Sequence, residues 1–172
     1  MNVLELFKPI KTFVFDIDGV LAIDTMIVMP GGELIRSMNS KDGYALQLAI
    51  KKGYHIVIIT GGNSEAVKER LVKLGVKEVF SGVHNKQEKL QAYAKEHNLS
   101  FDEMLYMGDD IPDIGVMKLA GLPVCPADAV EEIKALSAYV SPYGGGKGSA
   151  RDVIEKVLKI QGKWMSEEAY SW

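Results

Sequence analysis

A chain of 172 residues has roughly the length of one domain and should bury about 70% of its unfolded surface. Its 47% hydrophobic and 25% charged residues match the globular average, which excludes collagenous, low-complexity and disordered chains. A net charge of −3 leaves no basic field to hold a nucleic-acid backbone or an anionic membrane surface, so neither is an expected partner.

The opening M-N-V-L-E-L-F-K-P carries an acid inside its only apolar stretch, and no later run approaches the ~18 apolar residues of a membrane span. The expectation is a cytoplasmic protein, neither exported nor anchored. The single Cys125, in the apolar run L-P-V-C, reads as a buried structural thiol and fits a reducing compartment.

Short apolar runs rich in Val, Ile, Phe and Tyr at 12–17, 55–60 and 104–107 are bounded by Gly or Asp, as buried strands are. Between them, 41–52, 64–74, 86–97 and 111–120 place apolar residues at helical spacing, and 150–160 reads as a final helix. Ser64 is a plausible N-cap, and Gly53, Gly75 and Gly121 stand where helices should stop. This alternation predicts an α/β fold, a Rossmann-like three-layer sandwich with a central parallel sheet, as one domain over 1–172.

Two segments break the rhythm. Residues 22–38, with M-I-V-M and E-L-I-R-S-M around P-G-G, predict a projecting β-hairpin whose apolar residues fall on both faces, an arm for a partner. The tail 161–172 has no helical period yet holds two Trp and one Tyr, and is either frayed or docked elsewhere.

Chemistry gathers at the strand ends. The first strand ends in D-I-D-G, so Asp16 and Asp18 project to one side at the carboxyl edge, where open α/β sheets bind ligands. Two like charges about 4 Å apart repel by roughly 4 kcal/mol at an effective dielectric near 20, an arrangement that a divalent cation would relieve. A later strand ends in M-G-D-D-I-P-D, bringing Asp109, Asp110 and Asp113 to the same edge, and oxygen ligands without His favour Mg²⁺. Thr60 and Gly61 end the second strand with a hydroxyl and a backbone N–H, and Lys86 opens a helix. Any one of these acids taken alone reads as a helix N-cap; the combination does not.

The ordered set D-I-D-G-V, I-I-T-G, Lys86 and G-D-D-I-P-D resembles the haloacid dehalogenase superfamily of aspartate-dependent phosphatases, over about residues 13–151. The resemblance implies that Asp16 attacks phosphorus and that Asp18 serves as general acid and then base. It implies Mg²⁺ held by Asp16, the Asp18 backbone carbonyl and Asp109, with Asp110 and Asp113 supporting. Thr60, Gly61 and Lys86 would bind the phosphate. Most relatives insert a cap domain, for which neither motif interval here has room, so a neighbouring subunit is the expected cover.

Within the superfamily the chain resembles the small capless group, through D-I-D-G-V-L, N-S-K-D-G-Y (39–44) and G-G-K-G-S-A-R (145–151). That implies a homotetramer assembled through the hairpin, with tails able to close over neighbouring sites. The implied substrate is a sugar-acid phosphate, 3-deoxy-D-manno-octulosonate 8-phosphate, with a nine-carbon deoxy sugar acid 9-phosphate as the alternative. Members often show Arg after the second-motif Thr-Gly, where this chain has Gly62, so Arg70, Lys73, Lys147 and Arg151 are candidates to contact the substrate. Each has a plainer reading, as a solvated helix charge or as part of a Gly-rich linker. His84, near Lys86, is a weaker candidate of the same kind. A phospho-receiver module would share the acids, Thr and Lys, but orders them differently, and a scaffold without turnover would not need the full set.

Overall fold

The run T-F-V-F forms β1 (Thr12–Phe15), buried at all four residues as a strand covered on both faces must be. The computed structural model describes residues 3–172; the reading of the opening segment also used Met1 and Asn2, which lie outside the described residues. A hairpin of β2 (Ile27–Val28) and β3 (Leu34–Ile35) follows, then α1 (Ser40–Lys51), β4 (His55–Ile59), α2 (Glu65–Lys73), β5 (Glu78–Phe80) and α3 (Lys86–Glu96). The second half supplies β6 (Met104–Met107), α4 (Ile114–Met117), β7 (Leu122–Cys125), α5 (Glu131–Leu136), β8 (Tyr139–Val140) and α6 (Ser149–Ile160).

Six strands make one sheet in the order β5-β4-β1-β6-β7-β8, each neighbouring pair parallel. The chain runs outward from β1 through β4 to β5, then crosses back and runs outward on the other side from β6 to β8. That reversal opens a crevice at the carboxyl ends of β4, β1 and β6, the ligand position of open α/β sheets.

Alternation along each strand sorts the interior into two cores. Phe13, Phe15, Ile56, Ile58, Leu105 and Met107 face α1, α2 and α6. Val14, Val57, Ile59, Met104 and Tyr106 face α3, α4 and α5, with Cys125 buried among them. The three-layer sandwich is thus the consequence of a period of two in strands that are apolar on both faces. Between β1 and α1 lies only the hairpin, and between β4 and Lys86 only α2 and β5, so there is no cap domain.

Several expectations need correction. The helix expected over 111–120 is a tight turn at Ile111–Asp113 followed by the four-residue α4, after which Leu119 and Ala120 donate three residues back, to Val116 and Met117. Apolar spacing at 111–120 records burial of one side and does not distinguish a long helix from successive tight turns. The paired part of the arm is shorter than 22–38: β2 and β3 pair over Ile27–Val28 and Leu34–Ile35, with one further bridge between Ala22 and Met38. Its apolar side chains are bare, Ile27 and Val28 being 62% and 71% exposed.

The tail packs on its own chain. Trp164 is buried in the core beside α6, the Tyr44 hydroxyl donates to the Ala169 carbonyl, and Lys52 pairs with Glu168 at 2.6 Å. Among the described residues no helix is long and apolar enough to cross a membrane.

Candidate active site

Each motif reaches the crevice by a local device. Asp16 follows β1 directly, its N–H donating to the Met107 carbonyl at 3.2 Å and so extending the β1–β6 ladder by one residue. Gly19 turns the chain with φ +80°, and a Cβ there would stand 1.9 Å from an Asp109 carboxylate oxygen, so both the turn and the close approach require glycine. Gly108 is constrained by close approach alone: a Cβ would fall 2.5 Å from that of Asp113. Asn85 caps α3 by accepting from the Glu88 N–H at 3.1 Å, which makes Lys86 its first residue and aims its side chain along the sheet edge.

The Lys86 ammonium bridges two carboxylates, Asp16 Oδ2 at 2.6 Å and Asp113 Oδ1 at 2.8 Å, with all three residues buried. The Tyr106 hydroxyl also donates to Asp113 Oδ1, at 2.8 Å, and the Asp109 N–H to its Oδ2 at 3.1 Å. Asp113 therefore spends both oxygens on holding Lys86 and the Asp109 loop. Asp16 accepts from the Ile17 N–H at 2.7 Å and from Lys86. The Asp109 carboxylate accepts no hydrogen bond from any described residue, although its backbone carbonyl accepts from the Val130 N–H at 3.0 Å.

The electrostatics follow. Burial, then the Asp113 charge, push the Asp16 carboxyl up to about 6 against the pull of Lys86. Burial, then the charges of Asp16, Asp113 and Asp110, push Asp109 up to about 8. Lys86 loses by burial but gains more from Asp16 and Asp113, and its pKa ends above the ordinary value.

Carboxylate oxygens of Asp16, Asp109 and Asp113 lie within 4.8 Å of one another. An unpartnered carboxylate beside a second, with oxygen donors alone, is the donor set of a hard divalent cation. The residues present fit such an ion. Asp109, whose carboxylate has no partner, and Asp16, which accepts two hydrogen bonds where Asp113 accepts three, are the side chains best placed to hold it.

These residues line a cavity of about 330 Å³ that Asp18, Thr60, Gly61 and Asp110 also border. Thr60 is buried at the end of β4, its Oγ1 accepting from the Gly62 N–H at 3.2 Å. Asp110 is exposed and its carboxylate accepts from the Ile111 N–H at 2.8 Å, a capping role beside the cavity.

The structure does not bring every candidate here. Arg70 lies against Gly43 and Leu74 beside α1, and Lys73 is exposed at the end of α2. Lys147 and Arg151 border a separate cavity of about 680 Å³ along α1 and α6. None of the four borders the acid-lined cavity of this chain, and His84 is exposed outside it. The acids of the larger cavity, Asp152 and Glu155, are paired with Arg151, Lys156 and Lys159, so chemistry rather than volume locates the site.

Two site residues escaped the sequence reading. Arg36, from the arm, forks onto Asp18, with Nε to Oδ1 at 2.6 Å and Nη2 to Oδ2 at 3.1 Å. Tyr106, which fixes Asp113, looked like one more apolar strand residue. Arg36 carries no motif; the signal available was a cation at the base of an arm next to D-I-D-G.

The haloacid dehalogenase-like hydrolase profile matches residues 73–148. The chain is 30% identical to the 3-deoxy-D-manno-octulosonate 8-phosphate phosphatase of Escherichia coli K12 over 162 residues, 94% of this chain and 86% of that protein. The chain belongs to the haloacid dehalogenase-like hydrolases. Its relatives within them are phosphatases, which act on phosphoric monoesters. The crystal structure of the Yersinia pestis 3-deoxy-D-manno-octulosonate 8-phosphate phosphatase superposes with a TM-score of 0.90 at 28% identity, covering 94% of this chain and 87% of that one. The Moraxella catarrhalis enzyme, solved with magnesium, phosphate and its sugar acid, superposes with a TM-score of 0.88 at 31% identity, covering 93% and 92%.

Proposed function

We propose that this chain hydrolyses 3-deoxy-D-manno-octulosonate 8-phosphate to the free sugar acid and phosphate through an aspartyl phosphate on Asp16. The observation that carries the reading is the buried Asp16–Lys86–Asp113 bridge with the unpartnered Asp109 beside it. The substrate class comes from relatives at 30% identity and from the sugar-acid complex of the Moraxella enzyme.

A carboxylate and a phosphate dianion repel, so attack needs positive charge fixed in place before the reaction. Lys86 supplies it next to Asp16, and Asp113 and Tyr106 keep the ammonium from swinging away. Mg²⁺, held by Asp16, the Asp18 main-chain carbonyl and Asp109, would supply further charge neutralisation at the phosphoryl oxygens. Asp16 forms the new O–P bond as the ester O–P bond breaks, and Asp18 gives its proton to the departing alkoxide. Asp18 then takes a proton from water as that water attacks phosphorus and frees Asp16 and inorganic phosphate. Thr60 Oγ1 and the Gly61 N–H hold equatorial oxygens throughout.

The bare arm supports assembly through β2 and β3, and we assign a homotetramer in which a neighbour covers the open cavity, working in the cytoplasm. The test is phosphate release with and without Mg²⁺ on the eight-carbon acid 8-phosphate, its nine-carbon analogue and neutral sugar phosphates. Preference for the eight-carbon acid sustains the reading; preference for the nine-carbon acid or a neutral sugar overturns the substrate, and release without Mg²⁺ overturns the cofactor.

A further inference from the structure

We propose that Arg36, carried to the site by the hairpin arm, is a positioning residue for Asp18, and that Gly62 is the position left without a side chain so that the guanidinium fits. The inference rests on Asp18 being the proton-transfer group of the proposed reaction.

Arg36 is the only group among the described residues that hydrogen-bonds the Asp18 carboxylate, and it does so at both oxygens. Its own orientation is fixed from behind, Nη1 donating to the Leu34 carbonyl at 3.1 Å, so the fork is set by the backbone of β3. The Arg36 side chain is only 5% exposed although Ile27, Val28, Leu34 and Ile35 of the arm are bare, and Asp18 is 25% exposed, so the pair is better shielded than the fully exposed ion pairs that contribute little. A Cβ on Gly62 would stand 3.1 Å from both Arg36 Nη2 and Asp18 Oδ2. The first-motif loop, the second-motif loop and the arm therefore meet at one partly buried charge pair.

A carboxylate that must meet a leaving oxygen and then a water cannot wander among rotamers. Misplacement by about 1 Å can cost 10²-fold. Without Arg36 no side chain or amide among the described residues fixes Asp18, because Asp18 is the one acid of the first motif whose carboxylate is not also bonded to a backbone N–H or to Lys86. The arm is thus a working part of the site as well as an exposed projection.

The experiment measures kcat, KM, melting temperature and oligomeric state, with Mg²⁺ present, for Arg36→Ala, Arg36→Lys, Gly62→Ala, the double variant Arg36→Ala/Gly62→Ala, and Asp18→Asn as control. Arg36→Ala should lower kcat about 10- to 100-fold with KM within about threefold, with assembly unchanged and a fall in melting temperature of no more than a few degrees. Arg36→Lys should recover part of the loss, since it restores charge but not the fork. Gly62→Ala should lower kcat about threefold or more in the parent and less in the Arg36→Ala background, the sign of a shared contact. Parental kcat in Arg36→Ala, or a loss that follows melting or assembly and is not relieved by lysine, overturns the proposal. If Arg36→Ala does not fold, parental kcat in both Arg36→Lys and Gly62→Ala overturns it. Parental turnover in Asp18→Asn would instead refute the reading of Asp18, whereas a stalled Asp18→Asn beside an unaffected Arg36→Ala refutes only the role given to Arg36.

Discussion

Two regions of this molecule bury acids, and they do so in opposite ways. Along the α1–α6 seam Asp42 is 2% exposed and accepts from the Arg151 and Gly148 N–H groups at 2.8 and 3.2 Å. Asp152 there accepts from the Tyr139 and Ser141 hydroxyls at 2.8 and 3.0 Å and pairs with Lys156. At the sheet edge Asp16, Asp109 and Asp113 crowd together around one ammonium, and burial with mutual repulsion pushes Asp109 up to about 8. The seam has donors for its acids; the edge has fewer than it needs. Burial of an acid is therefore no mark of a site, whereas burial without compensation is, because the missing charge is left for a ligand to bring.

The sharpest way to break that contrast is to neutralise the edge. Asp16→Asn removes the oxygen proposed to attack phosphorus, and phosphate release should fall by at least about 10³-fold, measured over hours against the parent. Retained turnover would make the crowding structural and dissolve the distinction. Lys86→Met comes next. It should lower kcat about 10²- to 10³-fold, as loss of a fixed charge facing the transition state does. It also leaves two buried carboxylates without their cation, so unfolding by urea should show a loss of about 3–5 kcal/mol unless Mg²⁺ is added.

Cation binding supplies a third, smaller effect, whose sign is fixed by Asp16 and Asp109. Both carboxyls bind protons more tightly folded than unfolded, at about 6 and about 8. Their contribution to stability is full below the ordinary carboxyl value and is lost as pH rises through those values. The cation-free protein should therefore melt lower at pH 8 than at pH 5.5 on their account, and added Mg²⁺, competing with protons, should raise the melting temperature more at pH 8. An equal rise at both pH values would mean that the ion binds away from these acids.

Much of this was legible in the sequence because the signals are local. A strand apolar on both faces, followed by Asp, fixes where an acid must stand, and D-I-D-G, I-I-T-G and G-D-D-I-P-D each do this within a few residues. Gly19 and Gly108 belong to those motifs for a steric reason the structure supplies: a side chain at either would strike Asp109 or Asp113. What was not legible rests on side-chain pairings that no motif announces, whether eighteen residues apart or seven. Arg36 meets Asp18 across the arm, Tyr106 meets Asp113 across the end of β6, and neither pairing leaves a spacing to read. The strand β8 and the helix α5 are short, and their few apolar residues show no period. Trp164 settles the tail through a tertiary contact with Arg151, whose guanidinium lies 5.2 Å from its ring.

The contrast can finally be tested from the seam side. Asp42→Asn keeps one acceptor oxygen but sets an amide NH₂ against a backbone N–H that the carboxylate had satisfied. One of the Gly148 and Arg151 amides is then left without an acceptor, at a cost of about 1–3 kcal/mol. Burial already pushes the Asp42 carboxyl up, so a neutral group is partly tolerated there and the loss should fall at the lower end of that range. A melting temperature lower by a few degrees with kcat within about twofold would mark the seam as scaffold, holding the start of α6 in place. If Asp42→Asn instead changes KM for the sugar-acid phosphate while melting stays put, the cavity bordered by Lys147 and Arg151 takes part in substrate binding, and compensation of charge would no longer separate the two regions.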